Sequence, residues 1–340
     1  MIKVAINGFG RIGRLAFRRI IDACPDIEIT AINDLGGLET LAHLLKYDSS
    51  YGSFGSEIEV KKDTLIVTSA EQKQEIRVFS ESDPLNLPWR KLNVDIVLEC
   101  TGVFRHLEGA FKHIKAGAKK VIISAPAKSE SIPTYLLGVN EAKYEAGTDN
   151  IISMGSCTTN CVAPVAKVLD ESFGIEKGFI TTVHSYTNDQ RILDLVHKDI
   201  RRARAAGLNI IPTTTGAAES VEKCLPQLAG KLKGIALRVP TATVSIIDFT
   251  VVLKKKATAT EINNALRKAA GKKEMEGILK VENKPLVSSD YKGSSFSSIV
   301  DSLLTVASGN TVKIFAWYDN EWGYASRLAE MADYIGKKLN

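Results

Sequence analysis

"INGFGRIGR", Ile6–Arg14, decides the fold. Three glycines at G-x-G-x-x-G spacing, Gly8, Gly10 and Gly13, end the apolar run "KVAING" and open an amphipathic stretch from Arg11 to Ala23. A strand, a glycine turn and a helix in that order let the backbone approach a pyrophosphate, whose charge then sits at the positive helix N-terminus. "IEITAIND" reads as the next strand and ends on Asp34, 21 residues past Gly13. A carboxylate at that distance accepts hydrogen bonds from an adenosine ribose and repels a 2′-phosphate, so NAD is expected rather than NADP.

Working outward, "VDIVLECTG", a helical pattern near Leu107 to Lys115, "KKVIISAP" and "NIISMGS" repeat the alternation of strand and helix. That order implies a parallel sheet with helices on its faces. "EIEVKKDTLIVTSAEQKQEIRVFS" reads as a hairpin insertion of short, polar-edged strands. After Cys157 the texture changes: "FITTVHSY", "IALRVPTATVSIIDFTVVLKK" and "TVKIFAWYD" are long, β-branched and aromatic. With helices expected at Thr260 to Lys268 and around Ser298 to Leu304, they predict a mostly antiparallel sheet with helices on one side. Asp189 to Asn209 has no clean period and predicts a long loop, a feature that is usually functional. A last helix, Tyr324 to Leu339, places Leu328, Met331, Ile335 and Leu339 on one face, to pack back on the first domain. The fold class is therefore α/β. A Rossmann-type parallel-sheet domain over 1–156, completed by a C-terminal helix at 322–340, precedes an α+β catalytic domain over 157–321.

The chain has 340 residues, 44% hydrophobic and 24% charged, with a formal net charge of +5. That is ordinary for a globular protein and long enough for two domains. Lysines and arginines are spread along the chain; the densest runs are Lys254 to Lys256, expected to be a solvated strand end, and "RRAR" at Arg201 to Arg204. Anionic small molecules suit this balance, and nucleic acid is not expected as a primary partner. "MIKVAINGFG" lacks the features of a signal peptide and nowhere do 18 apolar residues run uninterrupted. A cytoplasmic protein with no membrane partner is expected. Five cysteines, Cys24, Cys100, Cys157, Cys161 and Cys224, fit free thiols in a reducing compartment.

"SCTTNC", Ser156 to Cys161, puts two thiols one helical turn apart behind an N-cap candidate, Ser156. A cysteine of ordinary pKa near 8.5 is only about 3% thiolate at neutral pH. A helix N-terminus and an imidazole can each lower that value. His184, at the end of the strand in "TTVHSYTNDQ", supplies the imidazole, so that Cys157 and His184 form a nucleophile and a proton shuttle. Cys161, one turn inside, reads as a packed core thiol. Zinc would need two further ligands at matched spacing, and no metal site is expected. Pro164 removes the amide that would bond Asn160, which predicts a kink.

Around this pair lie Thr158, Thr187, Asp189, Arg202, Thr215 with Gly216 in "IIPTTTGAAE", and Arg238 in "ALRVP". Hydroxyls, glycine amides and guanidinium forks suit phosphate oxygens. Taken in order, "INGFGRIGR", "SCTTNC", "HSYTNDQ", "RRARAA", "NIIPTTTGAA", "LRVP" and "WYDNEWGY" span almost the whole chain, and the sequence resembles the phosphorylating glyceraldehyde-3-phosphate dehydrogenases. The resemblance implies a homotetramer whose long loop reaches an adjacent subunit's cofactor, and a glycolytic and gluconeogenic reaction. Glyceraldehyde 3-phosphate, inorganic phosphate and NAD would give 1,3-bisphosphoglycerate through a cysteine thiohemiacetal and thioester. It implies that Cys157 attacks the aldehyde while His184 takes the proton. Thr187, Asp189 and Arg238 would hold the substrate phosphate, and Ser156, Thr158, Thr215, Gly216 and Arg202 the attacking phosphate. Asn7, Gly8, Phe9, Gly10, Arg11, Ile12, Gly13, Asp34, Thr101, Gly102, Ser124, Asn320 and Tyr324 would contact NAD, with Asn320 on the nicotinamide carboxamide.

Three positions depart from the family's common pattern. Cys100 stands where serine is usual, Ser82 where arginine is frequent, and Val196 replaces a proline while Leu195 matches. With Asp34 present, NAD remains the expectation. The rival readings are an erythrose-4-phosphate dehydrogenase of the same superfamily, an RNA-binding protein and a thiol redox sensor built on Cys157 and Cys161. Retention of the "HSYTND" and "TTTG" segments argues against the first, and the absence of a basic tail or aromatic stacking motif against the second. An activated thiolate is oxidisable by nature, so peroxide sensitivity is expected as a by-product of catalysis.

Overall fold

A computed structural model of the chain describes residues 1–70 and 72–339. Glu71, inside the expected hairpin, and Asn340, at the end of the expected last helix, lie outside the described residues. The chain divides into two compact units: Met1–Tyr135 with Ala142–Gly155 and the residues from Ala325 on, and Leu136–Glu141 with Ser156–Tyr324.

In the first unit β1 (Ile2–Asn7), α1 (Arg11–Ala23), β2 (Ile27–Asn33) and α2 (Leu38–Lys46) follow the glycine-turn pattern. The two-residue strands β3 (Tyr47–Asp48) and β4 (Gly52–Ser53) pair with each other. Then come β5 (Glu57–Lys61), β6 (Thr64–Thr68), β7 (Lys73–Phe79), α3 (Trp89–Leu92), β8 (Ile96–Glu99), α4 (Leu107–Ala116), β9 (Lys120–Ile123) and β10 (Ile151–Ser153). The sheet runs β10-β9-β8-β1-β2-β7-β6-β5. From β10 to β7 every pair is parallel, and β6 and β5 continue antiparallel. The segment expected as a hairpin insertion therefore extends the main sheet: β7 docks on β2 through Ala31↔Arg77 to Asn33↔Phe79. Its alternating burial satisfies that register.

Chain order reverses at β1: β2 and β7 lie on one side, β8, β9 and β10 on the other. A crevice forms at the carboxyl ends of the strands at such a switch point. Two glycines make this turn possible. Gly8 has φ +91, and a Cβ there would stand 2.6 Å from the amide nitrogen of Thr101. A Cβ on Gly13 would lie 2.2 Å from the carbonyl oxygen of Gly8. Gly10, by contrast, has open space where its Cβ would be.

The second unit begins with α5 (Cys157–Phe173), followed by β11 (Ile175–Ser185), β12 (Ile211–Thr214), α6 (Ala217–Cys224), β13 (Leu232–Val239), β14 (Ser245–Leu253) and α7 (Ala259–Ala270). The strands β15 (Leu279–Glu282), β16 (Ser298–Asp301), β17 (Val306–Ser308) and β18 (Thr311–Tyr318) complete it. Their order is β12-β13-β11-β14-β18-β16-β15, with β17 beside β18. Most pairs are antiparallel; β11 with β13 and β15 with β16 are parallel. β14 alternates, burying Ile247, Phe249, Val251 and Leu253 beneath α5, α6 and α7. Each such side chain contributes roughly 1.5–3 kcal/mol of burial free energy.

One expected helix is a strand. In the stretch Ser298 to Leu304, Ser298–Asp301 forms β16, pairing Val281↔Val300 in parallel and Ile299↔Trp317 antiparallel, and a turn follows it. The β-branched pair Ile299–Val300 is buried on both faces of a sheet interior, and periodicity cannot separate such a short apolar run from a helical one. Asp189 to Asn209 forms no named helix or strand, only turns and an isolated bridge between Arg191 and Ala205. Lys254 to Lys256 is exposed at the end of β14. α8 (Trp322–Lys337) buries Leu328, Met331 and Ile335, and Gly336 lies directly against the side chain of Ile2.

Candidate active site

Ser156 starts α5 with a reciprocal cap. Its hydroxyl accepts from Thr159 N at 3.0 Å, and its own amide donates to Thr159 Oγ1 at 3.0 Å. Cys157 is thereby held as the first helical residue, where unpaired amides and the helix dipole favour a negative sulfur. β11 brings up His184, whose Nε2 lies 3.4 Å from Cys157 Sγ. His184 Nδ1 lies 2.7 Å from Ser185 O, and a proton donated there leaves the Nε2 lone pair facing the thiol. Arg238 on β13 aligns with His184 in the strand register, and its Nη1 stands 2.5 Å from Nδ1 and 3.2 Å from Ser185 O. In this tautomer the guanidinium donates to the carbonyl.

Burial pushes the Cys157 thiol above its ordinary range, outweighing the guanidinium of Arg238, which pulls it down. Burial, and after it Arg238, lowers His184 to about 3. Both shifts favour the uncharged forms, a thiol and a neutral imidazole. The lowering expected from a helix N-terminus and an imidazole is overridden by desolvation, which disfavours either charge when no ligand is present. His184 Nε2 is placed within reach of the Cys157 proton.

Tyr318, at the end of β18, was not singled out by sequence reasoning. Its hydroxyl bridges Thr158 Oγ1 at 2.9 Å and Thr182 Oγ1 at 2.8 Å, and its ring meets His184 edge-on at 6.0 Å. The signal was present: the alternation of "TVKIFAWY" puts Tyr318 inward with Val312, Ile314 and Ala316, and a buried phenol needs partners. Cys161 is fully buried, 3.6 Å from Ser298 Oγ, with its thiol pushed up by burial.

The anion set is partly assembled. Thr187 donates to Asp189, and Arg202 grips Asp189 and reaches Thr213 Oγ1 through Nε at 2.9 Å and Nη2 at 2.8 Å. Burial opposes it, but Thr187 and Arg202 hold Asp189 below the usual carboxylate range. Arg238 Nε is buried with no partner among the described residues. Thr215 accepts from Ala217 N at 3.2 Å, and Gly216 caps α6. Asn320 Oδ1 accepts from Ser185 Oγ at 2.9 Å and Ser245 Oγ at 3.0 Å; its Nδ2 has no partner among the described residues.

In the first unit, Asn7, Gly8, Gly10, Asn33, Asp34, Glu81, Cys100 and Thr101 line a groove of ≈ 410 Å³ at the switch point. Asp34 accepts Phe9 N at 2.7 Å and Gly36 N at 2.8 Å, one per oxygen, so each oxygen keeps a lone pair for a ribose. The open side of Gly10 and the constricted Gly8 and Gly13 fit a dinucleotide. Phe9 turns its ring into the core against Phe17, and Arg11 turns to Asp48, so neither side chain is directed to the groove. Ser124 bonds the Cys100 thiol, which burial pushes up to about 12. Gly102 is exposed at φ +71, and Tyr324 is buried in the first turn of α8.

The family model described as "Glyceraldehyde 3-phosphate dehydrogenase, NAD binding domain" matches residues 2–107, and that described as the "C-terminal domain" of the same enzyme matches 156–320. A glyceraldehyde-3-phosphate dehydrogenase of Geobacillus stearothermophilus is 56% identical over 338 residues, 99% of each chain. Glyceraldehyde-3-phosphate dehydrogenase 1 of Bacillus subtilis is 53% identical, again over 99% of each chain. Chloroplastic glyceraldehyde-3-phosphate dehydrogenase A of Chlamydomonas reinhardtii is 53% identical over 99% of this chain and 89% of its own. With two family models and near-complete relatives in agreement with a thiol–imidazole pair and a dinucleotide groove, the chain belongs to the glyceraldehyde-3-phosphate dehydrogenase family.

Proposed function

We propose that Cys157 and His184 carry out the oxidative phosphorylation of glyceraldehyde 3-phosphate in this chain, and the observation that carries the assignment is their 3.4 Å approach at the capped start of α5. The enzyme is an NAD-dependent oxidoreductase that converts glyceraldehyde 3-phosphate and inorganic phosphate to 1,3-bisphosphoglycerate. Cys157 Sγ bonds the aldehyde carbon as its proton passes to His184 Nε2, giving the thiohemiacetal as its alkoxide. NAD, when bound, supplies the hydride acceptor that turns this adduct into a thioester. An oxygen of inorganic phosphate then bonds the acyl carbon, the carbon–sulfur bond breaks, and His184 returns its proton to the departing sulfur.

Thr187, Asp189 and Arg238 are assigned to the substrate phosphate, a role supported by the unpartnered Nε of Arg238. Ser156, Thr158, Thr215, Gly216 and Arg202 are assigned to the attacking phosphate. The first unit holds NAD with Asn7, Gly8, Phe9, Gly10, Arg11, Ile12, Gly13, Asp34, Thr101, Gly102 and Ser124; Asn320, with its free amide, and Tyr324 complete the set. The NAD-binding domain is assigned to 1–156 with the C-terminal helix, and the catalytic domain to 157–321. In the test, initial rates of NAD reduction with the triose are expected to depend on inorganic phosphate over many turnovers. Equal sustained rates without phosphate would mean that water resolves the thioester, and would sink the second anion site.

The reading extends to a cytoplasmic homotetramer. Five free thiols suit a reducing compartment, and among the described residues no helix is long and apolar enough to cross a membrane. Assembly is supported by the loop after His184, which exposes Ile192 at 87%, Val196 at 86% and Ile200 at 84%, with Leu193, Leu195, Leu208 and Ile210 beside them in sequence. A monomer rarely leaves so much apolar side chain in water. Sedimentation velocity is expected to give a species near four times the 37.0 kDa chain. A single species at chain mass would overturn the assembly.

A further inference from the structure

Beneath the dinucleotide groove runs a buried polar chain that the mechanism does not use. Trp89 on α3 donates its indole Nε1–H to His113 Nδ1 at 3.0 Å. An indole nitrogen only donates, so Nδ1 is an acceptor and the ring proton sits on Nε2, aimed at Glu99 Oε2 at 3.1 Å. Asn7 Nδ2 donates to the same oxygen at 2.5 Å. The other oxygen of Glu99 accepts Thr101 N at 2.9 Å and the Thr101 hydroxyl, which in turn accepts Val103 N at 3.0 Å. From Asn7 the chain continues: Asn33 Nδ2 donates to Asn7 Oδ1 at 2.7 Å and to Glu81 O at 2.9 Å, while Glu81 N returns a bond to Asn33 Oδ1 at 2.8 Å.

These residues stand at the carboxyl ends of β8, β1 and β2 and just past β7, four neighbours in the sheet. Asn7, Asn33, Glu81 and Thr101 form the groove floor, whereas Glu99 and His113 lie below it, at 1% and 0% exposure. Glu99 is the junction. Its four bonds come from three residues, Asn7, His113 and Thr101, and only His113 lies on a helix. A buried carboxylate that loses one of its donors shifts toward those that remain, here the amide of Asn7 and the amide and hydroxyl of Thr101.

We propose that His113 is a positioning residue for NAD: outside the groove lining, it fixes Glu99 with its Nε2 only 3.4 Å from Asn7 Nδ2, and so sets the placement of Asn7 and Thr101 on the groove floor. The inference rests on the assignment of NAD to Asn7, Gly8 and Thr101. The two contacts assign the ring nitrogens their roles, Nδ1 accepting from Trp89 and Nε2 donating to Glu99.

The test uses the whole enzyme, with NAD affinity read by titration calorimetry and kcat and KM for NAD read separately. His113→Leu is expected to raise the NAD dissociation constant and KM roughly tenfold while kcat at saturating NAD stays within about twofold. His113→Gln, whose carbonyl can accept from Trp89 and whose amide can donate to Glu99, is expected to return affinity to within about threefold of the parent. If His113→Leu fails to fold, Trp89→Phe, which removes only the bond that selects the tautomer, is expected to weaken NAD at least about threefold. A folded His113→Leu or Trp89→Phe enzyme of lower melting temperature but unchanged NAD affinity would overturn the proposal, because the chain would then only support the fold. Asn7→Ala and Thr101→Ala separate the two levels: if both leave NAD affinity unchanged, the cofactor assignment fails instead.

Discussion

Cys157→Ala is expected to lower turnover of glyceraldehyde 3-phosphate by at least roughly 10⁴-fold, while NAD affinity stays within about twofold. The size follows from covalent catalysis: without the sulfur no adduct forms, and residual substrate binding cannot replace a bond. NAD affinity survives because the groove is built from residues of the first unit. Steady-state rates and calorimetric titration measure the two halves, and mass spectrometry of the quenched enzyme is expected to show an acyl adduct in the parent alone. Cys161→Ser is the contrast. That thiol is fully buried beside Ser298, so the variant is expected to lose stability and keep the rate within about twofold. A Cys157→Ala enzyme within tenfold of the parent would remove the thiol from the chemistry.

His184→Asn has the second-largest expected effect, a fall in kcat/KM of about 10²–10⁴-fold at neutral pH. Its pH dependence carries more information than its size. In the parent, burial holds the folded His184 near 3, below its ordinary 6.5, so the base is neutral from pH 6 to 9 and its protonation does not limit the rate there. In the variant, only sulfur that has already lost its proton can attack, and burial holds the thiol above its ordinary range. The rate is then expected to climb about tenfold per pH unit across the same range, provided circular dichroism shows the fold intact. A flat profile in the variant would mean that another group removes the proton.

How much of this was legible beforehand varied with the kind of signal. The glycine turn, the cap on α5 and the acid after β2 were readable because each answers a local requirement. Gly8 needs φ +91, Gly13 leaves no room for a Cβ, and Ser156 satisfies amides three residues away. The pairing of Cys157 with His184 was inferred from residue types, and the register of β11 with β13 is what aligns His184 with Arg238. Around residues 298–304 the sequence predicts a helix where Ser298–Asp301 is a strand, since Ile299–Val300 is an apolar run whose state is decided by the strands β15 and β18 on either side. Tyr318 was passed over as an aromatic of a strand, although its hydroxyl sits 160 residues away in sequence from its partner Thr158.

By itself, then, the sequence determined which backbone segments turn, cap and alternate, the proposed nucleophile and base, and the family. Tertiary structure alone decided the approach and burial of the pair, the grip of Arg202 on Asp189 and Thr213, and the chain from Trp89 through Glu99 to Asn33. The physical reason is one of range. Dihedral preference, capping and side-chain period act between neighbours in the chain and are written in residue order. Desolvation and hydrogen bonding between Asn7 and Glu99, 92 residues apart, exist only once the sheet has brought their strands side by side.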